Sequence, residues 1–122
     1  MNIPQNLLYT NEHEWVKIVN NIAIIGITDY AQSELGDIIF VELPSKLDEY
    51  TAGDTIGTIE AVKTVADIYA PLAGLIEEVN ERLEDEPELI NTSPYDEGWI
   101  VKIKKSNLPE LLSASQYKDL VS

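Results

Sequence analysis

A mostly β fold organised as one domain is what this sequence predicts, and three observations carry the prediction. Isoleucine- and valine-rich runs too short for helices recur along the chain, and Gly, Pro and Asn punctuate them. Helix-like segments are few and brief. At 122 residues, 44% of them hydrophobic, the chain has material for one ordinary core and no tract that reads as a linker.

The elements follow in order. Alternation over Glu14 to Val19 and the apolar run Ile22 to Ile27, separated by Asn20-Asn21, predict two strands joined as a hairpin. Thr28 or Asp29 is a fit N-cap for a short helix reaching Leu35, and Gly36 supplies the residue that tolerates a left-handed stop. Strand character returns over Ile38 to Leu43 and ends at Pro44; Ser45 to Ala52 is polar and turn-like. Thr55 to Ala61 and Val65 to Tyr69 have strand composition, which leaves Val62-Lys63-Thr64 at a hairpin tip. After Pro71 and Gly74 comes another strand, Leu75 to Val79. The acidic segment Glu81 to Glu88 predicts a short helix divided near Pro87, and Trp99 to Lys104 a last strand. Ser113 is an N-cap for a terminal helix ending near Val121. Gly-Asp-x-Ile occurs at Gly36 and again at Gly53, a faint repeat that turn chemistry explains equally well.

Composition narrows the chemistry. Without cysteine there are no disulfides, thiolate ligands or cysteine nucleophiles, and one histidine makes a His-based metal site improbable. No Ser/His/Asp arrangement sits in a recognisable turn, which argues against a free-standing hydrolytic enzyme. Twenty-two acidic against eight basic residues give a net charge of -14, so phosphate backbones and anionic lipid surfaces would repel the chain. Neither a signal peptide nor an apolar run of ~20 residues is present, and a cytoplasmic protein is expected, although a processed mitochondrial one would read the same.

A few residues stand out. Lys63 is a cation in acidic surroundings where two strands turn; composition alone leaves it as one surface lysine among others, placed where a modifying enzyme can reach it. Glu60 lies three residues before it. His13 is flanked by Glu12 and Glu14, an arrangement that can favour imidazolium, and it reads equally as a structural histidine packed beside Trp15. Trp15 and Trp99 read as core anchors.

Taken together, several segments resemble the H proteins of the glycine cleavage system. They are His13-Glu14-Trp15, Gly26-Ile27-Thr28-Asp29-Tyr30-Ala31-Gln32 and Gly36-Asp37-Ile38-Ile39-Phe40-Val41-Glu42-Leu43-Pro44, then Ile59-Glu60-Ala61-Val62-Lys63, the family's lipoylation segment. Ala70-Pro71-Leu72-Ala73-Gly74, Val79-Asn80, Asn91-Thr92-Ser93-Pro94-Tyr95 and Gly98-Trp99 complete the set, from about Leu8 to Lys104 and in the family's order. Ala61, where serine is usual, and Thr64, where a smaller residue is common, are departures.

The resemblance implies a flattened β sandwich of the barrel-sandwich hybrid, lipoyl-domain-like type, with short peripheral helices and a C-terminal helix, residues 1–122 forming one lipoyl-carrier domain. It implies lipoic acid in amide linkage to Lys63, with Glu60 recognised by the lipoate-attaching enzyme. An aminomethyl-loaded arm would carry a cation, and Glu14 and Asp67 by charge, with His13 next to Glu14 in sequence, are the candidates for a cleft that shelters it. The implied role is a non-catalytic, monomeric shuttle. It would serve a pyridoxal-phosphate glycine decarboxylase, a tetrahydrofolate-dependent aminomethyltransferase and a flavin dihydrolipoyl dehydrogenase. A lipoyl relay to other complexes is an alternative. A biotin carrier would have methionine beside the lysine where Val62 and Thr64 stand here, and a lipoyl domain of a dehydrogenase complex would have an acidic residue directly before it.

Overall fold

The computed structural model describes every residue from Met1 to Ser122. Its strands are β1 (Leu8–Tyr9), β2 (Glu14–Val19), β3 (Ile22–Ile27), β4 (Ile38–Glu42), β5 (Glu49–Tyr50), β6 (Thr55–Ala61), β7 (Val65–Tyr69), β8 (Gly74–Val79) and β9 (Val101–Lys105). The helices are α1 (Asp29–Leu35), α2 (Arg82–Asp85), α3 (Leu89–Thr92) and α4 (Ala114–Leu120). Two open antiparallel sheets result, a six-stranded one in the order β1-β2-β3-β9-β8-β5 and a three-stranded one in the order β4-β6-β7. This is the mostly β fold that the strand pattern predicts, and the flattened two-sheet sandwich that the resemblance implies.

Side chains alternate between the faces of a strand, so each sheet turns one set of residues inward. Val16, Ala23, Ile25, Val101, Ile103 and Ile76 from the large sheet meet Ile38, Val41, Ile59 and Ile68 from the small one in the main core. The opposite face of the large sheet has its own cover. Tyr9 and Trp15, adjacent on β1 and β2, pack there with Leu7, Ala114 and Tyr117 under α4. Trp15 lies flat across Gly26, its partner on β3; a Cβ at Gly26 would stand 2.6 Å from the indole nitrogen. That nitrogen donates to the Pro94 carbonyl at 2.9 Å. Trp99 is half-buried against the same cluster, with the Lys102 ammonium 4.8 Å from the centre of its ring.

Local chemistry explains the helices. Thr28 caps α1 through its hydroxyl, and Gly36 ends it at φ 80°. Ser113 and Gln116 form a capping box on α4, each side chain bonded to the other's backbone N–H. Pro87, which has no N–H to give, separates α2 from α3; the acidic segment Glu81 to Glu88 holds only the single turn α2, and α3 starts beyond it at Leu89, where the sequence predicts no element. Two expectations need correction. The polar stretch Ser45 to Ala52 is not turn throughout, because Glu49 and Tyr50 pair with Leu75 and Gly74. The last strand starts at Val101, two residues later than Trp99, and β1 was not foreseen.

Candidate functional site

Lys63 stands at the tip of the β6–β7 hairpin. Glu60 and Val65 are the last paired residues, and Ala61 N–H donates to the Thr64 carbonyl at 2.8 Å, leaving Val62 and Lys63 in the turn. Two-residue hairpin turns that match the twist of their strands use positive φ, and no residue from 61 to 64 has it. The tip is instead tied from outside: Val62 N–H donates to the Asp37 carbonyl at 3.1 Å. Lys63 is exposed and takes part in none of the salt bridges of the molecule. Its stem runs beside Gly36, where a Cβ would stand 3.5 Å from Cε.

Glu60 lies between Phe40 and Val65 across the small sheet, and all three are exposed on its outer face. One row along, Asp67 is the neighbour of Thr58, which pairs with Glu42. The exposed apolar residues Ile39, Phe40, Val62 and Val65 surround this end of the sheet.

From the Leu35 end of α1, one residue before the Gly36 that the lysine stem lies beside, a cleft of about 420 Å³ runs between α1 and β7.

 Ile27, Ala31, Leu35, Ile59, Ala66 and Tyr69 make its apolar lining, and His13, Glu34 and Asp67 lie among them. Lys63 does not itself line this cleft; its stem lies beside Gly36, next in sequence to the cleft residue Leu35.

The residues expected to shelter the arm do not all meet. His13 and Asp67 line the cleft, whereas Glu14 lies behind Tyr69 and opens on a neighbouring cavity of about 600 Å³. Glu14 is buried, accepting from Tyr69 N–H at 2.7 Å and from the Thr10 hydroxyl at 3.1 Å. Burial pushes its carboxyl up to about 7, against the two hydrogen bonds. For His13 the imidazolium expectation is corrected. Burial holds the ring below its ordinary value, outweighing Glu12 and Glu34. Its aromatic neighbours are Tyr30 and Tyr117, not Trp15, and Nδ1 is 2.9 Å from the Tyr117 hydroxyl, itself 2.7 Å from that of Thr28.

Sequence reasoning passed over Asn91. Its Oδ1 accepts from Ile38 N–H at 3.0 Å, and Nδ2 donates to the Gly36 carbonyl at 2.9 Å and to Gln32 Oε1 at 3.0 Å. It belongs to the Asn91-Thr92-Ser93-Pro94-Tyr95 segment, but nothing local reveals partners more than fifty positions away. No group of three His, Asp or Glu side chains is placed to hold a metal ion.

Two open antiparallel sheets around one core, with short helices outside, give a lipoyl-domain-like fold. Residues 7–122 match the glycine cleavage H-protein family, and the chain belongs to it. It is 58% and 57% identical to glycine cleavage system H proteins from two strains of Staphylococcus epidermidis, in each case over 99% of this chain and 98% of the relative. A crystal structure of a glycine cleavage system H protein from Mycobacterium marinum superposes with a TM-score of 0.92 at 39% identity. That match covers 96% of this chain and 97% of the other.

Proposed function

We propose that the chain is a single lipoyl-carrier domain whose Lys63 bears lipoate and which shuttles the aminomethyl group of glycine between the enzymes of the glycine cleavage system. The observation that carries this reading is an exposed lysine, free of ion pairs, at a hairpin tip beside an apolar cleft in a member of this family. The Lys63 amine attacks the activated carboxyl of lipoate; the activating group leaves, the nitrogen loses a proton, and an amide replaces the charge. When bound, the lipoyl group supplies the sulfur that accepts the cargo. The chain's own residues fix where the arm starts and offer it a nearby cleft with an apolar floor and the charged or polar rim residues Glu12, Glu34, Asp67 and His13.

Tethering confers a high local concentration of the reactive group at each docked enzyme, limited by geometry. The partners in this reading are the pyridoxal-phosphate decarboxylase, the tetrahydrofolate-dependent aminomethyltransferase, the flavin dehydrogenase and the lipoate-attaching enzyme, for which Glu60 is a recognition contact. Asp67 and His13 border the arm's path, and Glu14 acts on it only through the strand that carries Tyr69. The protein works as a cytoplasmic monomer and turns over no glycine by itself. Intact mass of the protein from its own host, followed by peptide mapping, tests the reading. One lipoyl-sized addition on Lys63 is expected, and modification at Lys46 or Lys102 instead overturns the site.

A further inference from the structure

We propose that Asn91 is a positioning residue for Lys63, a clasp that locks the cleft wall, the loop under the lysine and the hairpin tip into one frame. The inference rests on Lys63 being the modified residue. Asn91 touches neither Lys63 nor the hairpin. Both protons of its amide nitrogen and its oxygen are bonded, to Gln32 in α1, to Gly36 at the end of α1 and to Ile38 at the start of β4. The two backbone bonds therefore bracket Asp37, whose carbonyl accepts from Val62 N–H. Gly36, held by the same side chain, is the residue along which the lysine stem lies.

The arrangement matters because the tip makes one backbone bond of its own, from Ala61 N–H to the Thr64 carbonyl, and one to the loop before β4, from Val62 N–H to the Asp37 carbonyl, so the second takes part in fixing the direction of the lysine. Asp37 can hold the tip only while its own backbone is held. Asn91 is well placed to do that, since its helix is anchored in the core through the fully buried Ile90 and the buried Leu89. Through Gln32 it also fixes α1, which carries Ala31 and Leu35 of the cleft. The root of the arm and the channel that receives it thus share one anchor.

The test compares the full-length parent with Asn91→Ala and Gln32→Ala, each prepared without lipoate and treated with lipoate, ATP and a lipoate–protein ligase. Initial rates are read by intact mass, and amide exchange is followed at Val62 and at Ile25 and Ile103 of the large sheet. Misplacing a reacting group by about 1 Å costs up to about a hundredfold, so kcat/KM for Asn91→Ala should fall about tenfold or more. Exchange at Val62 should rise while Ile25 and Ile103 stay as in the parent. Gln32→Ala removes one of the three Asn91 bonds together with the Gln32 Nε2 donation to Asp29 at 2.8 Å, keeps the protein testable if Asn91→Ala does not fold, and should lower kcat/KM about threefold. Modification of a folded variant at the parental rate overturns the proposal, as does a loss accompanied by equal acceleration of exchange in both sheets, which is simple destabilisation. If the parent itself is unmodified at Lys63, the lipoyl reading fails, independently of Asn91.

Discussion

The two sheets share a core yet differ on their outer faces. The large sheet is covered at one side by Tyr9, Trp15 and Tyr117 beneath α4, and its strands β2 and β9 carry Lys17, Lys102, Lys104 and Lys105, half of the basic residues of the chain. The small sheet has Glu42, Glu60 and Asp67 as its only charged strand residues, and Phe40 and Val65 are open to solvent. The difference separates the faces that stabilise the fold from the one face left open. One sheet is buttressed on both sides, whereas the other uses a single face for folding and leaves the second, with Lys63 at its end, free for encounter. Exposed Ile39, Phe40, Val62 and Val65 contribute little to the core, and a grouping of this kind is characteristic of surfaces that meet a partner.

The buttress is the first place to break the comparison. Trp15 is 1% exposed and fills the space over Gly26, so Trp15→Ala leaves a void, an unpaired Pro94 carbonyl and a loosened α4. Chemical denaturation should show a loss of about 3–5 kcal/mol, the cost of truncating a large buried aromatic. A loss below about 1 kcal/mol would mean that the outer cluster is ornamental and that the main core alone sets stability.

Glu14 joins the two sheets, since it belongs to β2 and accepts from Tyr69 N–H of β7. Its carboxyl titrates at about 7 when folded, against an ordinary value of 4.5. The folded chain therefore holds the proton more tightly than the unfolded one, and this group's contribution to stability declines as pH rises from about 4.5 through about 7. Glu14→Gln keeps an acceptor for Tyr69 and removes the titration. Relative to the parent, the variant should gain about 1–3 kcal/mol at pH 8 and little at pH 4.5. His13, whose folded value is lowered, has the opposite slope, with stability lost as pH falls below its ordinary 6.5; comparing Glu14→Gln with the parent at each pH leaves that contribution out. An equal difference at all pH values would show that the inter-sheet tie does not titrate.

Much of the large-sheet hairpin was legible because its cause is local. Alternation over Glu14 to Val19, the Asn20-Asn21 turn, with Asn20 at φ 57°, and the Thr28 and Ser113 caps are written within a few residues of where they act. Lys63 was legible as a turn residue for the same reason. Elements set by distant partners were not. Glu49 and Tyr50 become a strand only because β8 lies beside them, and Leu8 and Tyr9 only because β2 does. The state of His13 depends on burial among Tyr30 and Tyr117, whereas its sequence neighbours are acidic and point the other way. Asn91, in the sequence only one residue of a family motif, gains its partners when α1 and β4 fold around it.

The smallest expected effect on stability tests the free sheet most directly. In the double variant Val62→Lys with Lys63→Val, composition and net charge are unchanged, and both positions are exposed at the tip. Stability should stay within about 0.5 kcal/mol of the parent, as for surface substitutions away from special contacts. Modification should nevertheless be lost. Val62 gives its N–H to Asp37 while the stem of Lys63 lies along Gly36, so neighbouring tip residues face different surroundings. Moving the amine by one position takes it from the side of Gly36 and alters its relation to Glu60, while the backbone bond to Asp37 can persist, because it does not depend on the side chain. Thermal unfolding checks that the variant folds, and intact mass after ligase treatment reports the outcome. A folded variant modified as fast as the parent would show that the ligase needs only an accessible lysine, and that the small sheet offers the enzyme a flexible end and not a directed one.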